Sequence, residues 1–360
     1  MPNDVAGNEP FGDDLAHCPE EAAKGTIYAL AMEAMKEYIE VYLALAKETH
    51  GLEVIEAQHL QTPDRRLVLL AGLNSSLPVE AVTPEQVVNE WQHMRAIPFD
   101  VETAITKGVY AQLRARIATM VGELASETKG FLHFESAYIA ANPRMLPILQ
   151  RLANVSSKAE LKRRVGSVSD NSISAASAGR LAEILNRVQP GKSMGRAQLL
   201  QSVEPTLEGI VRDLVGRVLL ESVVARALDD TRVPYKREVE YRSLEGVVYD
   251  FRADFVIPDS QKPKAFIEVR KSSSRHASLY AKDKMFSAIN WKGRNKDLLA
   301  VLVVEGPWTA ETLRVMSNVF DYVVPLKAVS QVCVALAAYL RGDASRLKWL
   351  IEFSIKPANQ

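Results

Sequence analysis

The run DLLAVLVVEG, from Asp297 to Gly306, is apolar at seven consecutive positions and reads as a strand buried inside a sheet rather than lying at a wet edge. Upstream lies a second apolar strand, AFIEVR, from Ala265 to Arg270, with the helical stretch SLYAKDKMFSAINW between the two. Strands joined through a crossover helix pair in parallel. The helix TAETLRVMSNV and the strand YVVPL repeat the alternation, and AVSQVCVALAAYLRGDASRLKWLIEF closes the chain as a further helical run. Ahead of AFIEVR, the segment KREVEYRSLEGVVYDFRADFVIPD alternates around a central LEG and predicts a strand, a turn and another strand. The expectation for residues 196–360 is therefore an α/β domain: a mixed sheet with helices on its faces, entered through the long helix PTLEGIVRDLVGRVLLESVVARALDD.

The first half has a different period. KGTIYALAMEAMKEYIEVYLALAKETH carries apolar residues at three- and four-residue steps, and VETAITKGVYAQLRARIATMVGELASE and PRMLPILQRLANV are similarly amphipathic. TPEQVVNEWQHM supplies its own start signal, with Thr83 as N-cap, Pro84 at the first helical position and Glu85 in the first turn. Residues 21–165 are thus expected to form a mainly α-helical domain, which makes the whole chain α+β. RRVGSVSDNSISAASAG, rich in Ser, Ala and Gly, points to a linker or loop over residues 166–195, and residues 1–20 to a flexible acidic lead-in.

Composition removes several classes. No window reaches the roughly 18 uninterrupted apolar residues of a membrane span, and the acidic N-terminus lacks the basic and apolar regions of a secretory signal. The two cysteines, Cys18 and Cys333, are far apart and build neither a disulfide framework nor a zinc site, which fits a reducing, cytoplasmic setting. The six histidines show no H-x-x-x-H or H-E-x-x-H spacing. PGKSMG lacks the upstream glycine of a phosphate loop, and no G-x-S-x-G elbow is present. The formal net charge of +0 argues against indiscriminate binding of nucleic acid, yet basic residues concentrate between Arg270 and Lys296.

The chemistry-bearing residues lie in FRADFVIPDSQKPKAFIEVRKSSSRH. Asp254 falls in the strand RADFVI and Glu268 in the next one, with a connection short enough to set the two side by side. Alternation puts Glu268 and Arg270 on one face and Ile267 and Val269 on the other. Two carboxylates and a cation then converge, as metal-assisted hydrolysis of a phosphodiester requires, and magnesium favours such hard oxygen ligands. Asp250, four residues before Asp254, would share its face on an unbroken strand and is a possible substitute ligand.

D-F-V-I followed by I-E-V-[KR], between a carboxylate-bearing helix and a basic helix, resembles the PD-(D/E)xK nuclease superfamily, and its surroundings resemble the type II restriction endonucleases within it. The resemblance covers residues of about 195 to 330. It implies a Mg2+-dependent endonuclease cutting double-stranded DNA at a specific sequence, with Asp254 and Glu268 as metal ligands and a homodimer as the natural assembly for a palindromic target. It also implies a glutamate from the preceding helix, best matched by Glu221, with Glu204 and Glu208 as weaker matches. At the family's lysine position stands Arg270, which cannot act as a base because a guanidinium does not give up its proton near neutral pH. Arg270 is then a fixed clamp on the phosphate, or is replaced in function by Lys271 through a bulge, or marks a site that has been weakened or switched off.

Lys271, Arg275, Lys282, Lys284, Lys292, Arg294 and Lys296 are expected to meet DNA phosphates. Trp291 and Tyr280 are read as core aromatics ahead of base-stacking ones, and His276 as a polar loop residue. Alternatives are a DNA-binding module with an inactive nuclease core, a repair or defence nuclease with the same core, and a helical scaffold in which the motif is accidental.

Overall fold

A computed structural model describes residues 26–169, 171–272, 277–347 and 350–353, with the backbone alone for 277–281. Among the described residues, eight α-helices precede the long one: α1 (Ile27–Glu48), α2 (Pro63–Gly72), α3 (Pro84–Met94), α4 (Val101–Glu127), α5 (Ser136–Ala141), α6 (Leu146–Leu152), α7 (Lys158–Val165) and α8 (Ala175–Val188). After α9 (Arg196–Asp230) come β1 (Lys236–Arg237), β2 (Phe255–Ile257), β3 (Ala265–Lys271), α10 (Ala277–Arg294), β4 (Leu299–Glu305), α11 (Ala310–Met316), β5 (Tyr322–Pro325) and α12 (Val329–Leu340). The fold is mixed α+β, helical in its first half, with one five-stranded sheet in the order β1-β2-β3-β4-β5. β1, β2 and β3 pair antiparallel, whereas β3, β4 and β5 run parallel through α10 and α11. Among the described residues, no helix is long and apolar enough to cross a membrane.

Local signals in the chain account for much of this. Thr83 caps α3 by accepting from the Gln86 N–H at 3.3 Å, while the Gln86 side chain accepts from the Thr83 N–H at 2.8 Å, so two otherwise orphaned donors are satisfied. Six residues of β4, Leu299 to Val304, are buried, as their uninterrupted apolar run requires. In the sheet's principal core, Phe266 of β3 meets Trp291 of α10 edge to face at 4.9 Å, and Val256, Ala300 and Phe320 complete the layer.

Several expectations change. The segment expected to be a linker contains α8: Ser174 accepts from the Ser177 N–H, and Ala178, Leu181, Ala182 and Leu185 are buried at helical spacing. Its small residues cover an apolar stripe that composition hides. Helix α9 begins at Arg196 and carries Pro205 inside, because Leu199, Val203, Leu207 and Val211 keep one buried stripe running across the proline. The expected hairpin before β3 is mostly irregular, reduced to β1, a single Leu244–Phe251 bridge and β2. The last helix ends at Leu340 before Gly342, whose positive φ of 88° turns the chain, and residues 350–353 are not helical.

The compact units are also not sequential halves. Among the described residues, one comprises those within 26–35 and 108–214, the other those within 36–107 and 215–353. Within the second unit, residues 36–107 pair with α9 through Arg226–Glu40 and with β3 through Lys271–Glu102. The expected flexible stretch at 1–20 lies outside the described residues.

Lys292, expected on a phosphate-facing surface, is fully buried. Its amine donates to Asp321 Oδ2 at 2.5 Å and to the Leu298 carbonyl at 3.0 Å, and Asp321 also accepts the N–H groups of Ala300 and Ile351. This pair ties the end of α10 to the start of β4. Lys292→Ala leaves an uncompensated buried carboxylate and is expected to cost about 3–5 kcal/mol, read as a lower midpoint in guanidinium unfolding.

Candidate active site

Asp254 stands immediately before β2, not within it. The register pairs Phe255 with Ile267, so continuing one residue sets Asp254 opposite Glu268. The backbone there is pinned by Tyr241, whose hydroxyl accepts the Ala253 N–H at 2.6 Å and donates to the Ala253 carbonyl at 2.7 Å. In place of a further ladder bond, Asp254 Oδ2 accepts the Val269 N–H at 2.7 Å.

Arg270 joins the two carboxylates. Its Nη1 donates to Asp254 Oδ2 at 2.8 Å and its Nη2 to Glu268 Oε2 at 2.6 Å. Lys284 of α10 reaches the same Oε2 at 3.0 Å. Glu268 is completely buried, and its other oxygen, Oε1, has no hydrogen-bond partner. Burial first, then the charge of Asp254, pushes the Glu268 carboxyl up to about 7 against the pull of Arg270 and Lys284.

The orphaned Oε1 is the feature that fits a divalent cation. Magnesium keeps several waters and takes one or two carboxylates together with substrate oxygens, so the Asp254–Glu268 pair meets its needs. Among the described residues, no group of three or more His, Cys, Asp or Glu side chains gathers to hold a metal. Glu221 is exposed on α9, where loss of surrounding water and then the charge of Asp254 push its carboxyl upward, so it feels the site's field without joining a ligand cluster. Glu204 pairs with Arg114 and, like Glu208, belongs to the other compact unit. Asp250 lies outside any strand and accepts the Gly246 N–H, so the shared face expected with Asp254 does not exist.

The expected cations separate into distinct groups. Lys271 pairs with Glu102, and β3 pairs with β4 in unbroken register from Ala265 to Lys271, so no bulge turns Lys271 inward. Lys282, Arg294 and Lys296 are exposed, with Arg294 at 3.6 Å from Glu245. Arg294 and Lys296 line an open cleft of about 980 Å³ with Arg242 and Asp250, and that cleft includes none of Asp254, Glu268 and Arg270. Trp291 is core. Arg275, His276 and the Tyr280 side chain lie outside the described residues.

Sequence reasoning counted Lys284 among the phosphate-binding surface lysines and missed its bond to Glu268. The signal was its spacing from Ala288 and Trp291, four and seven residues on, along the buried stripe of α10. Tyr241 was missed altogether, since no local pattern marks its contact with Ala253.

No family model matches the chain, and no curated protein matches it. One solved structure, described as "Restriction endonuclease PspGI-substrate DNA complex", aligns over 54% of this chain and 93% of that chain, at 12% identity and a TM-score of 0.29.

A carboxyl whose pKa is higher folded than unfolded holds its proton more tightly in the folded chain. Stability then falls as pH rises through the interval from 4.5 to about 7. Glu305, half-buried and near Asp100, is also pushed up to about 7, so comparison with a variant is needed to isolate Glu268. In chelator, Glu268→Gln is expected to match the parent's thermal midpoint near pH 4, below the unfolded value. By pH 8 it should be the more stable by on the order of 3 kcal/mol.

Proposed function

We propose that this chain is a metal-dependent deoxyribonuclease that hydrolyses phosphodiester bonds of double-stranded DNA. In its finer form, the proposal is a sequence-specific endonuclease of the PD-(D/E)xK type, resembling type II restriction enzymes. The observation that carries it is the convergence of Asp254 and Glu268 across β2 and β3, bridged by Arg270, with a buried Glu268 oxygen left unsatisfied.

Asp254 and Glu268 would hold Mg2+, which when bound supplies positive charge to the phosphate and lowers the pKa of a bound water. Arg270, a permanent cation, bridges the two carboxylates and fixes how they stand relative to each other. It takes no proton from water. Tyr241 holds the backbone that presents Asp254, and the buried wall from Phe266 to Trp291 keeps the sheet and α10 in place. Exposed Lys282, Arg294 and Lys296 are available to backbone phosphates, each neutralised phosphate adding to a salt-dependent affinity. On a palindromic target, a symmetric homodimer would place one site on each strand.

One observation favours a second reading, a DNA-binding module with a silent core: the Arg270 guanidinium already bridges both carboxylates. Incubation of plasmid and genomic DNA with Mg2+ separates the two. Discrete fragments are expected from the parent, with Asp254→Asn and Glu268→Gln cutting slower by roughly a thousandfold or more while still retaining DNA. Retention without cutting would establish the silent module, smears a nonspecific nuclease. Neither cutting nor retention would overturn both readings.

A further inference from the structure

Phe266, Glu268 and Arg270 alternate onto the face of β3 that α10 covers. On α10, Ala288 and Trp291 are fully buried against that face, and Lys284 continues the same stripe one turn earlier. The packing that sets Trp291 on Phe266 therefore sets Lys284 on Glu268. Its side chain is only 12% exposed, an uncommon place for a lysine, whereas Lys282 two positions earlier is in water.

Two cations thus flank one oxygen, and they are held differently. Arg270 spans two carboxylates, with separate nitrogens at 2.8 and 2.6 Å. Lys284 meets Glu268 with one flexible amine at 3.0 Å. A planar guanidinium bonded at two points is committed to its partners, while an ammonium on a four-carbon stem can exchange one oxygen for another nearby.

The geometry assigns to Lys284 the catalytic contact expected of strand position 270: its amine turns from Glu268 to a non-bridging oxygen of the scissile phosphate, while Arg270 holds the carboxylates together. The assignment rests on the nuclease reading above. In the step it serves, the water oxygen forms a bond to phosphorus and its proton passes to solvent. The bond from phosphorus to the leaving oxygen breaks, and that oxygen keeps the electron pair and takes a proton from solvent. Charge on the phosphoryl oxygens rises as the water adds. A preorganised donor at that point is worth most in the transition state and little in the ground state.

The test compares the full-length parent with Lys284→Met, which keeps the buried volume, and with Lys284→Arg, which keeps the charge. Three quantities are read: the single-turnover cleavage rate at saturating DNA with Mg2+, DNA affinity in chelator, and the thermal midpoint. Lys284→Met is expected to slow cleavage by about a hundredfold or more, with DNA affinity changed less than about threefold and the midpoint preserved. Lys284→Arg should recover at least about tenfold of that loss, because it still donates to the phosphate. A Lys284→Met rate within about threefold of the parent overturns the assignment, as does a loss accompanied by a collapse of the midpoint in both variants. Those results leave the nuclease reading standing. A parent that cuts no DNA removes that reading and this assignment together.

Discussion

Packing of α10 on the Phe266 face of β3 is the constraint on which the rest of the site depends. It is an apolar contact, Trp291 against Phe266, yet it decides the electrostatics several ångströms away. Because that face also carries Glu268 and Arg270, covering it removes water from a carboxylate and forces its charge to be shared with fixed partners. Asp254 enters from the neighbouring strand, set by antiparallel register and the Tyr241 hydroxyl. The result is two carboxylates, a bridging guanidinium and an amine within one buried network.

That network is neutral when both carboxylates are ionised, but it is not fully satisfied. Every charged nitrogen faces an oxygen, while Glu268 Oε1 has no donor. A stability-optimised core would close that gap or replace the network with apolar groups. An open acceptor beside a second carboxylate suits a group that arrives with substrate. Burial, and then the charge of Asp254, hold the Glu268 carboxyl high.

The parts of this arrangement readable in the sequence were those fixed by local periodicity. Alternation in AFIEVR put Glu268 and Arg270 together, and the short connection from Asp254 made the pair adjacent. The all-apolar run of β4 announced a central strand. What escaped depends on partners far along the chain. Lys292 sits in a basic run and reads as surface until Asp321, 29 residues later, is seen to receive it. Helix α8 was hidden by Ser and Ala, because composition speaks of loops where spacing speaks of a buried stripe. The division of the chain into interleaved units was equally illegible, since ion pairs such as Lys271–Glu102 join segments 169 residues apart. Lys284 stands between these cases: its helical phase was written in the sequence, but its meaning required knowing which face of β3 the helix covers.

In the proposed function, Asp254 and Glu268 together would hold a divalent cation through the oxygen left open at Glu268. Mn2+ binding followed by electron paramagnetic resonance, in the presence of DNA, measures this without relying on turnover. The parent is expected to bind Mn2+ at a site that is lost in both Asp254→Asn and Glu268→Gln. Mn2+ binding that is absent from the parent, or unchanged in the two variants, would contradict the account.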